Sequence, residues 1–140
     1  GFWKDTGTPN DIIHANKIIL ENLKHESYGI IENDAKISGK VSIGKNSTIK
    51  NNSKIIGPVI IGNDCIIEKN STIGPNVSVG NNSKISNCLI QDSIIMSNCV
   101  IDARISIKDS IIAENSEINS QSPNNTKKKF LLGEGTKISL

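Results

Sequence analysis

A six-residue spacing of branched aliphatic residues runs through most of this chain. Ten consecutive anchors keep the spacing without a gap: Ile31, Ile37, Ile43, Ile49, Ile55, Ile61, Ile67, Ile73, Val79 and Ile85. Four residues after each anchor stands a second residue of restricted size or shape: Ala35, Val41, Ser47, Ser53, Val59, Cys65, Ser71, Val77, Ser83 and Leu89. A period of six is a multiple of the two-residue strand repeat and does not fit the helical repeat of about 3.6. The spacing therefore predicts short strands joined by bends, with two inward positions in every hexad.

Glycine adds a longer rhythm to this repeat. Gly44, Gly62 and Gly80 are eighteen residues apart, which indicates that three hexads make one coil and that one corner of each coil needs a permissive backbone. Three strands and three corners per coil predict a parallel β-helix with a triangular cross-section. Each coil hydrogen-bonds to the next and cannot bury its core alone, so both ends of the prism need caps.

After Ile85 the repeat continues with occasional five-residue steps. The later anchors are Ile90, Ile95, Ile101, Ile107, Ile112 and Ile118, and the later partners are Ile94, Cys99, Ile105, Ile111 and Ser116. We expect about five coils between residues 30 and 120, which at a strand spacing of about 4.8 Å make a prism roughly 24 Å tall. Asparagines stand at the expected bends, where a positive φ or a bond to the backbone is useful: Asn46, Asn51, Asn52, Asn63, Asn76, Asn81 and Asn82.

The segment before the repeat carries the signals of a helix. Thr8 is a favourable N-cap, Pro9 suits the first helical position, and Asp11 adds an acid to the first turn. We predict a helix over residues 9–24. Lys24 and His25 are expected in its last turn, where positive charge interacts favourably with the helix dipole. Its apolar face is expected to contain Ile12, Ala15, Ile19 and Leu23, with Ile13 and Leu20 beside it.

The segment after the repeat is first polar and then apolar. Residues 121–128 are predicted to form a loop, and Lys127, Lys128 and Lys129 a solvated loop run. The residues from Phe130 to Leu140 are apolar and strand-like around two glycines. We expect them to form a short terminal hairpin or edge strand that covers one end or side of the prism.

Composition narrows the class of protein. Aromatic residues make up only 3% of the 140 residues, so isoleucine has to fill the core. A net charge of +2 gives no electrostatic footprint for nucleic acid. No apolar run reaches the length of a membrane span, and the start shows neither an initiator methionine nor a signal peptide. We expect a cytoplasmic protein with further sequence upstream and no membrane partner.

The three cysteines predict neither a disulfide framework nor a zinc site. Cys65, Cys88 and Cys99 form no CxxC pair and have no histidine at metal-ligand spacing. We expect them to be reduced and to act as small packing residues.

The stretch Trp3-Lys4-Asp5-Thr6-Gly7-Thr8-Pro9, followed by Asp11 and Ala15-Asn16, resembles the end of the catalytic domain of sugar-1-phosphate nucleotidyltransferases. That family carries a W-x-D-x-G-T stretch that leads into a helix, and its long glucose-1-phosphate thymidylyltransferases continue into a β-helix. The closing run Phe130 to Ile138 resembles the end of those long enzymes. Although most parallel crossovers are right-handed, the hexapeptide pattern resembles the left-handed exception.

The resemblance thus implies an all-β fold, a left-handed parallel β-helix of hexapeptide repeats preceded by one α-helix. Residues 1–28 would be the end of the catalytic domain with its linking helix. Residues 29–120 would form the β-helix, and residues 121–140 a loop with a C-terminal strand segment. The β-helix is expected to be a structural and oligomerisation scaffold that packs against its own N-terminal catalytic domain and favours a homo-oligomer.

The resemblance also implies the transfer of a nucleotidyl group from a nucleoside triphosphate to a sugar 1-phosphate, with dTTP and glucose 1-phosphate the expected substrates. Magnesium assists the release of pyrophosphate. Asp5 matches the second magnesium-binding aspartate of the family, and Trp3 matches a residue that lines its sugar pocket. The glycine-rich nucleotide loop, its basic residues and the first metal-binding aspartate do not occur in the sequence. The chain by itself is therefore expected to be inactive and to hold no catalytic residue.

Two other functions stay open at this point. Many hexapeptide-repeat proteins transfer acetyl groups from acetyl-CoA, and some bifunctional nucleotidyltransferases N-acetylate amino-sugar 1-phosphates. That chemistry needs a general base, usually a histidine in the coils, whereas His14 and His25 both precede the coils. We expect His25 to cap the end of the helix. Binding of an effector or a sugar is the remaining alternative, and an acetyl-CoA assay separates the enzymatic alternative from the structural one.

Overall fold

The computed structural model describes residues 8–120 and 127–139. For Lys127 and Lys128 it describes the backbone alone. Within these ranges the chain forms one α-helix, α1 (Pro9–Glu21), and twenty short strands in three parallel sheets, which we call faces A, B and C. Face A consists of β1 (Glu26–Ser27), β4 (Val41–Ile43), β7 (Val59–Ile61), β10 (Val77–Val79), β13 (Ser93–Ile95), β16 (Ile111–Ile112) and β19 (Leu131–Leu132).

The other two faces follow the same three-strand rotation. Face B consists of β2 (Ile30–Ile31), β5 (Thr48–Ile49), β8 (Ile66–Ile67), β11 (Lys84–Ser86), β14 (Val100–Asp102), β17 (Glu117–Asn119) and β20 (Lys137–Ser139). Face C consists of β3 (Lys36–Ser38), β6 (Lys54–Ile56), β9 (Thr72–Ile73), β12 (Leu89–Gln91), β15 (Ser106–Lys108) and β18 (Lys127–Lys128). Each strand pairs in parallel with the third strand after it, as Val41 with Val59. The predicted all-β class and parallel β-helix are confirmed.

The isoleucine anchors form the core of the solenoid. From Ile43 to Ile118 every anchor is buried. The anchor of the first strand of face B, Ile31, is 41% exposed because no strand precedes β2 on that face. The inward anchors predicted from the spacing therefore form one hydrophobic core, and its first end is open in the part of the chain that the structure describes.

Three predicted inward partners are wrong. Leu89, Ile94 and Ile111 stand at outward positions of their strands, whereas the fully buried inward positions belong to Cys88, Ser93 and Ser110. The reason is the two-residue alternation of a strand, which places the inward partner two residues before the next anchor. In a six-residue step that position is four residues after the previous anchor, but in a five-residue step it is only three.

Small polar residues at inward positions are satisfied by the neighbouring coil. Ser47 Oγ donates to the carbonyl oxygen of Gly62 at 2.6 Å and accepts from the backbone nitrogen of Cys65 at 2.9 Å. Ser110 Oγ likewise accepts from the backbone nitrogen of Phe130 at 2.7 Å. Buried hydroxyl groups are stable only with such partners, so the backbone of the neighbouring coil is what lets serine occupy these inward positions.

Asparagine and aspartate build the corners, as predicted. Every non-glycine residue with a positive φ in the described chain is one of these two types, and Asn46, Asn52, Asn76 and Asn82 are among them. The other three predicted asparagines accept bonds from backbone nitrogens of the preceding coil: Asn51 from Asp34 at 2.9 Å, Asn63 from Lys45 at 2.9 Å, and Asn81 from Asn63 at 2.8 Å. Both expected uses of asparagine therefore occur.

The glycine rhythm marks the predicted corner, between face A and face B, but for a different reason. Gly44, Gly62 and Gly80 do not have a positive φ. A Cβ atom on Gly62 would instead collide with the Oδ1 atom of Asn81, and one on Gly80 would lie 2.6 Å from the backbone nitrogen of Ser97. Close approach of the next coil, and not a permissive backbone, excludes a side chain at this corner.

Helix α1 begins as predicted and ends earlier. Thr8 Oγ1 accepts from the backbone nitrogen of Asp11 at 3.2 Å, and the Asp11 carboxylate accepts from the backbone nitrogen of Thr8 at 3.3 Å. The helix ends at Glu21 with Asn22 as C-cap, so the prediction that Lys24 and His25 lie in its last turn is wrong. The chain has to leave the helix there because β1 pairs with β4 from Glu26 onwards.

The end of the chain continues the solenoid. Residues 127–128, predicted to lie in a solvated loop, form β18, which pairs with β15. β19 and β20 pair in parallel with β16 and β17 and are the last strands of faces A and B. The predicted hairpin is therefore wrong, and the alternative of an edge strand at one end is confirmed. The strands run from Glu26 to Ser139, beyond both ends of the range 29–120.

Candidate functional site

Helix α1 lies along face A and runs against the order of the coils. At its start, Ile12 and Ile13 pack against Ile111 of β16, with Ile94 of β13 beside them. One turn later Asn16 is bonded to β10, and past the helix His25 is bonded to β4. Thirteen residues at about 1.5 Å each span roughly 20 Å, and four coil steps of about 4.8 Å span roughly 19 Å. The helix and the turn after it therefore extend along face A from β16 to β4, with the β4 contact made by His25 beyond the helix end.

The helix face that contacts the solenoid differs from the predicted one. Leu20 and Ile13 are buried, and between them Asn16 and Lys17 contact face A, whereas the predicted Ile19 is 66% exposed. Two polar contacts explain the rotation. Ser78 Oγ donates to Asn16 Oδ1 at 2.7 Å, and Lys17 Nζ lies 3.4 Å from Asp92 Oδ1. Because Asn16 and Lys17 find polar partners on the solenoid, these two residues lie at the contact between the helix and face A.

The rotation leaves an apolar strip on the outside of α1. We call Ala15, Ile18 and Ile19 the outer stripe, because all three are exposed and Ile18 is 49% exposed. On the inner side the amide nitrogen Nδ2 of Asn16 is buried and has no hydrogen-bond partner in the described residues. The helix is thus held by apolar contacts, one hydroxyl–amide bond and one ion pair, while its outer stripe has no partner in the described chain.

The predicted substrate and metal residues, Trp3 and Asp5, lie outside the described residues. The first described residue, Thr8, begins α1 near the end of face A that carries β16. Among residues 8–120 and 127–139 no group of three histidine, cysteine, aspartate or glutamate side chains is placed to hold a metal ion. The described residues therefore do not supply such a donor set.

Neither histidine lies in a coil. His14 is exposed on α1, and His25, predicted to cap the helix, instead accepts a bond from the backbone nitrogen of Val41 at its Nδ1 atom, at 3.0 Å. In the next coil the equivalent nitrogen, on Val59, donates to the carbonyl oxygen of Lys40. His25 thus replaces a missing backbone acceptor at the first coil. The acceptor site at Nδ1 is therefore occupied by a backbone group of the solenoid.

All three cysteines are buried with free thiols. Burial raises the pKa of the Cys88 thiol to about 12, and the Asp102 carboxylate acts in the same direction. Burial also raises the pKa values of Cys65 and Cys99. The thiol rather than the reactive thiolate is therefore the form that the fold stabilises, as expected of packing residues.

This shift predicts a loss of stability at high pH. An unfolded chain releases the Cys88 proton near the ordinary value of 9.0, whereas the folded chain holds it to about pH 12. The stabilisation is complete below pH 9.0 and decreases above it, by about 1.4 kcal/mol per pH unit until the folded pKa is reached. Urea unfolding between these pH values should show a shallower pH dependence for Cys88→Ala. Because lysine titration is common to both proteins, an equal dependence of their unfolding free energies on pH would contradict the raised pKa of Cys88.

No helix among the described residues is long and apolar enough to cross a membrane.

Comparison with known protein families identifies the family of this chain. The family model of the GMPPB C-terminal domain matches residues 55–139, which is more than half of the chain. The chain belongs to this family. The resemblance to the C-terminal part of sugar-1-phosphate nucleotidyltransferases, first drawn from the W-x-D-x-G-T stretch and the hexads, is thereby confirmed.

Individual relatives agree with the family. The low-salt glycan biosynthesis nucleotidyltransferase Agl11 of Haloferax volcanii is 40% identical over 120 residues, covering 86% of this chain and 34% of that protein. The bifunctional protein GlmU of Methanocaldococcus jannaschii is 43% identical over 116 residues, covering 82% and 28%. A glucose-1-phosphate thymidylyltransferase of Streptomyces antibioticus is 31% identical over 140 residues, covering 100% and 39%. The chain thus spans between 28% and 39% of the length of these relatives.

A solved structure supports the fold. The crystal structure of a mutant of AntD, an N-acyltransferase from Bacillus cereus, superposes with a TM-score of 0.68 and 18% sequence identity. The match covers 84% of this chain and 80% of that one. The similarity establishes a shared solenoid architecture and carries no statement about activity.

Proposed function

We propose that this solenoid is the scaffold of a sugar-1-phosphate nucleotidyltransferase and that α1 joins it to the catalytic domain of the same protein. The observation that carries the proposal is the arrangement of α1. Its inner side is fixed to face A by Asn16, Lys17 and the buried isoleucines, while its outer stripe is apolar and exposed. A helix with two apolar sides is suited to a position between two packed bodies.

The catalytic domain is the occupant that we propose for the outer stripe. The W-x-D-x-G-T stretch, which resembles the end of that domain, runs directly into Thr8 and α1. The relatives are about three times as long as the segment that this chain matches, with coverages of 34% and 28%. A rigid α1 would transmit the orientation of the solenoid to the domain, and the solenoid faces would join subunits in a homo-oligomer.

The proposed reaction joins a nucleoside triphosphate and a sugar 1-phosphate. A phosphate oxygen of the sugar phosphate attacks the α-phosphorus, the bond to the β-phosphate breaks, and pyrophosphate leaves. We propose dTTP and glucose 1-phosphate as the pair, which the relative named as a glucose-1-phosphate thymidylyltransferase supports. Within this proposal Asp5 contributes a carboxylate ligand for magnesium, which supplies charge neutralisation when bound. Trp3 lines the sugar pocket, and the reaction takes place in the cytoplasm.

The outer stripe provides a test in the full-length parent protein. The double variant Ile18→Lys and Ile19→Lys should leave the thermal unfolding of the 140-residue chain unchanged, because both side chains are exposed there. In the parent it should lower pyrophosphate release from dTTP and glucose 1-phosphate and make the junction before α1 sensitive to protease, since it places charges in an apolar contact.

Glu21→Lys is the matched control, because it adds positive charge at an exposed position of the same helix. It should change neither activity nor protease sensitivity. A parent that keeps wild-type activity and protease resistance with both lysines would exclude the outer stripe as the contact. A parent that releases no pyrophosphate with any sugar 1-phosphate and nucleoside triphosphate would overturn the nucleotidyltransferase proposal itself.

N-acetylation of an amino-sugar 1-phosphate is the second candidate, favoured by relatives named bifunctional GlmU and bifunctional nucleotidylyltransferase/acetyltransferase. The bond from Val41 to His25 opposes it, since it occupies the acceptor nitrogen of the ring. We predict that the chain releases no CoA from acetyl-CoA with glucosamine 1-phosphate or galactosamine 1-phosphate. CoA release that disappears in His25→Gln would establish the acetyltransferase instead.

A further inference from the structure

A notch opens at the corner between faces B and C in the coil of β10, β11 and β12. In the coils before and after it, six residues separate the anchor on face B from the anchor on face C, but here only five separate Ile85 from Ile90. The shortened corner, Asn87 and Cys88, recedes between its neighbours. It leaves a concave space of about 420 Å³ between the corner of Asn70 and the corner of Arg104.

Hydrogen-bonding side chains and one cation line the notch, together with Cys88, Leu89 and Ile105. Thr72 and Ser106 contribute hydroxyl groups, Asn70 and Asn87 contribute amides, and Arg104 contributes the guanidinium. No acidic side chain of the described residues lines it. Arg104 is exposed and has neither an ion-pair nor a hydrogen-bond partner among residues 8–120 and 127–139. Five donor hydrogens of a planar fork are therefore available to a ligand.

The amides of the notch are held in place. Asn87 Nδ2 donates to Asp102 Oδ1 at 2.9 Å, and Asn87 Oδ1 lies 3.5 Å from Asn70 Nδ2. Asp102 belongs to β14 of face B, does not line the notch, and is bonded to Asn87. A ligand on the face C side would meet the hydroxyl groups and the guanidinium rather than that carboxylate.

The register of face C places one lysine position on each side of the notch. Thr72 pairs with Lys54 on one side, and Leu89 lies between Thr72 and Ser106 in the same outward column. On the other side Ser106 pairs with Lys127. Each step along this column is about 4.8 Å, so two hydroxyl-bearing residues stand between two lysine positions, and Arg104 stands beside them.

We propose that this notch binds a phosphate group carried by a small molecule, with Arg104 as its anchor and the hydroxyl group of Ser106, on the same coil, as a further donor. Arginine is the residue whose fork matches two phosphate oxygens at once, which lysine cannot do. The sequence contains a single arginine, and it stands at this corner, whereas its other basic residues are lysines and histidines. The inference does not depend on the function proposed above, because every group belongs to the solenoid.

Titration of the 15N-labelled 140-residue chain with inorganic phosphate, at constant ionic strength set by chloride, tests the proposal. We expect saturable shifts of the side-chain amide signals of Asn70 and Asn87 and of the Arg104 Nε–H signal. Arg104→Gln should weaken binding at least about tenfold, and Arg104→Lys, which keeps the charge but loses the fork, about threefold. The dispersed amide spectrum of each variant reports that it is folded.

Lys45→Gln is the matched control, because it removes one positive charge at the corner between faces A and B. Its phosphate affinity should stay within about twofold of the affinity of the unsubstituted 140-residue chain. Shifts that rise linearly without saturation would overturn the proposal. So would an equal loss of affinity in Arg104→Gln and Lys45→Gln, because the binding would then follow net charge alone. Failure of either kind leaves the nucleotidyltransferase proposal intact, since that one is tested by pyrophosphate release.

Discussion

Replacing Gly74 with alanine should lower the free energy of unfolding by at least about 3 kcal/mol. Gly74 has a φ of 109°, a region that residues with a side chain rarely adopt, and a Cβ atom there would collide with the carbonyl oxygen of Ile56 in the coil below. Neither the backbone of Gly74 nor that of Ile56 can move without breaking the bonds between coils. Urea unfolding followed by far-UV circular dichroism measures the change.

Gly133→Ala is the control for this substitution. A Cβ atom at Gly133 meets nothing within 4 Å in the described structure, and its φ is not positive. The change should therefore be neutral or should stabilise the chain by up to about 1 kcal/mol through the unfolded state. Equal effects at the two glycines would show that the loss at Gly74 does not arise from the fold of its corner.

Ile67→Ala should lower the free energy of unfolding by about 3 to 4 kcal/mol, since it removes a fully buried side chain from a closed core. Its neighbour in β8, Ile66, is 36% exposed, and Ile66→Ala should cost about 1 kcal/mol or less. The two residues have the same chemistry, strand and sequence neighbourhood. Their difference therefore measures which side of face B is the inside.

The same unfolding measurement distinguishes this arrangement from a slipped register. A shift of the strands by one residue would exchange the two positions, and Ile66→Ala would then be the more harmful variant. The pairing of Ile67 with Ile49 and Ile85 in the described register requires the opposite order.

The hexad period was enough to predict the core, because a strand alternates with a period of two whatever the rest of the fold does. It also predicted the asparagine corners, where only a residue that tolerates a positive φ or bonds to the backbone fits. The orientation of Ile94 and Ile111 was not predictable from counting forward from the previous anchor. Each lies within a five-residue step between two anchors. Because such a step lacks one corner residue, the position four residues after the previous anchor points outward instead of inward.

Other features depended on contacts between distant parts of the chain. The apolar pattern of α1 favours a face with Ile19, yet Asn16 and Lys17 find partners on Ser78 and Asp92, which no local pattern shows. The position of His25 beside Val41 follows from the missing acceptor of the first coil. For the candidate site, the family motif predicts Trp3 and Asp5, which lie outside the described residues and remain a prediction. The notch at Arg104 could have been found only by following the short step from Ile85 to Ile90.

The course of α1 has a consequence for how the solenoid comes apart. A stack of coils held only by adjacent contacts can fray from either end, one coil at a time. Here the helix and the turn after it contact β16, β13, β10 and β4, through pairs as far apart in sequence as Asn16 and Ser78. These contacts lie one coil inside each end, because β1 is the first and β19 the last strand of face A. Opening that passes beyond the end coils therefore removes part of the helix contact as well. We expect the coils from β4 to β16 to unfold in one cooperative transition, with α1 coupling them.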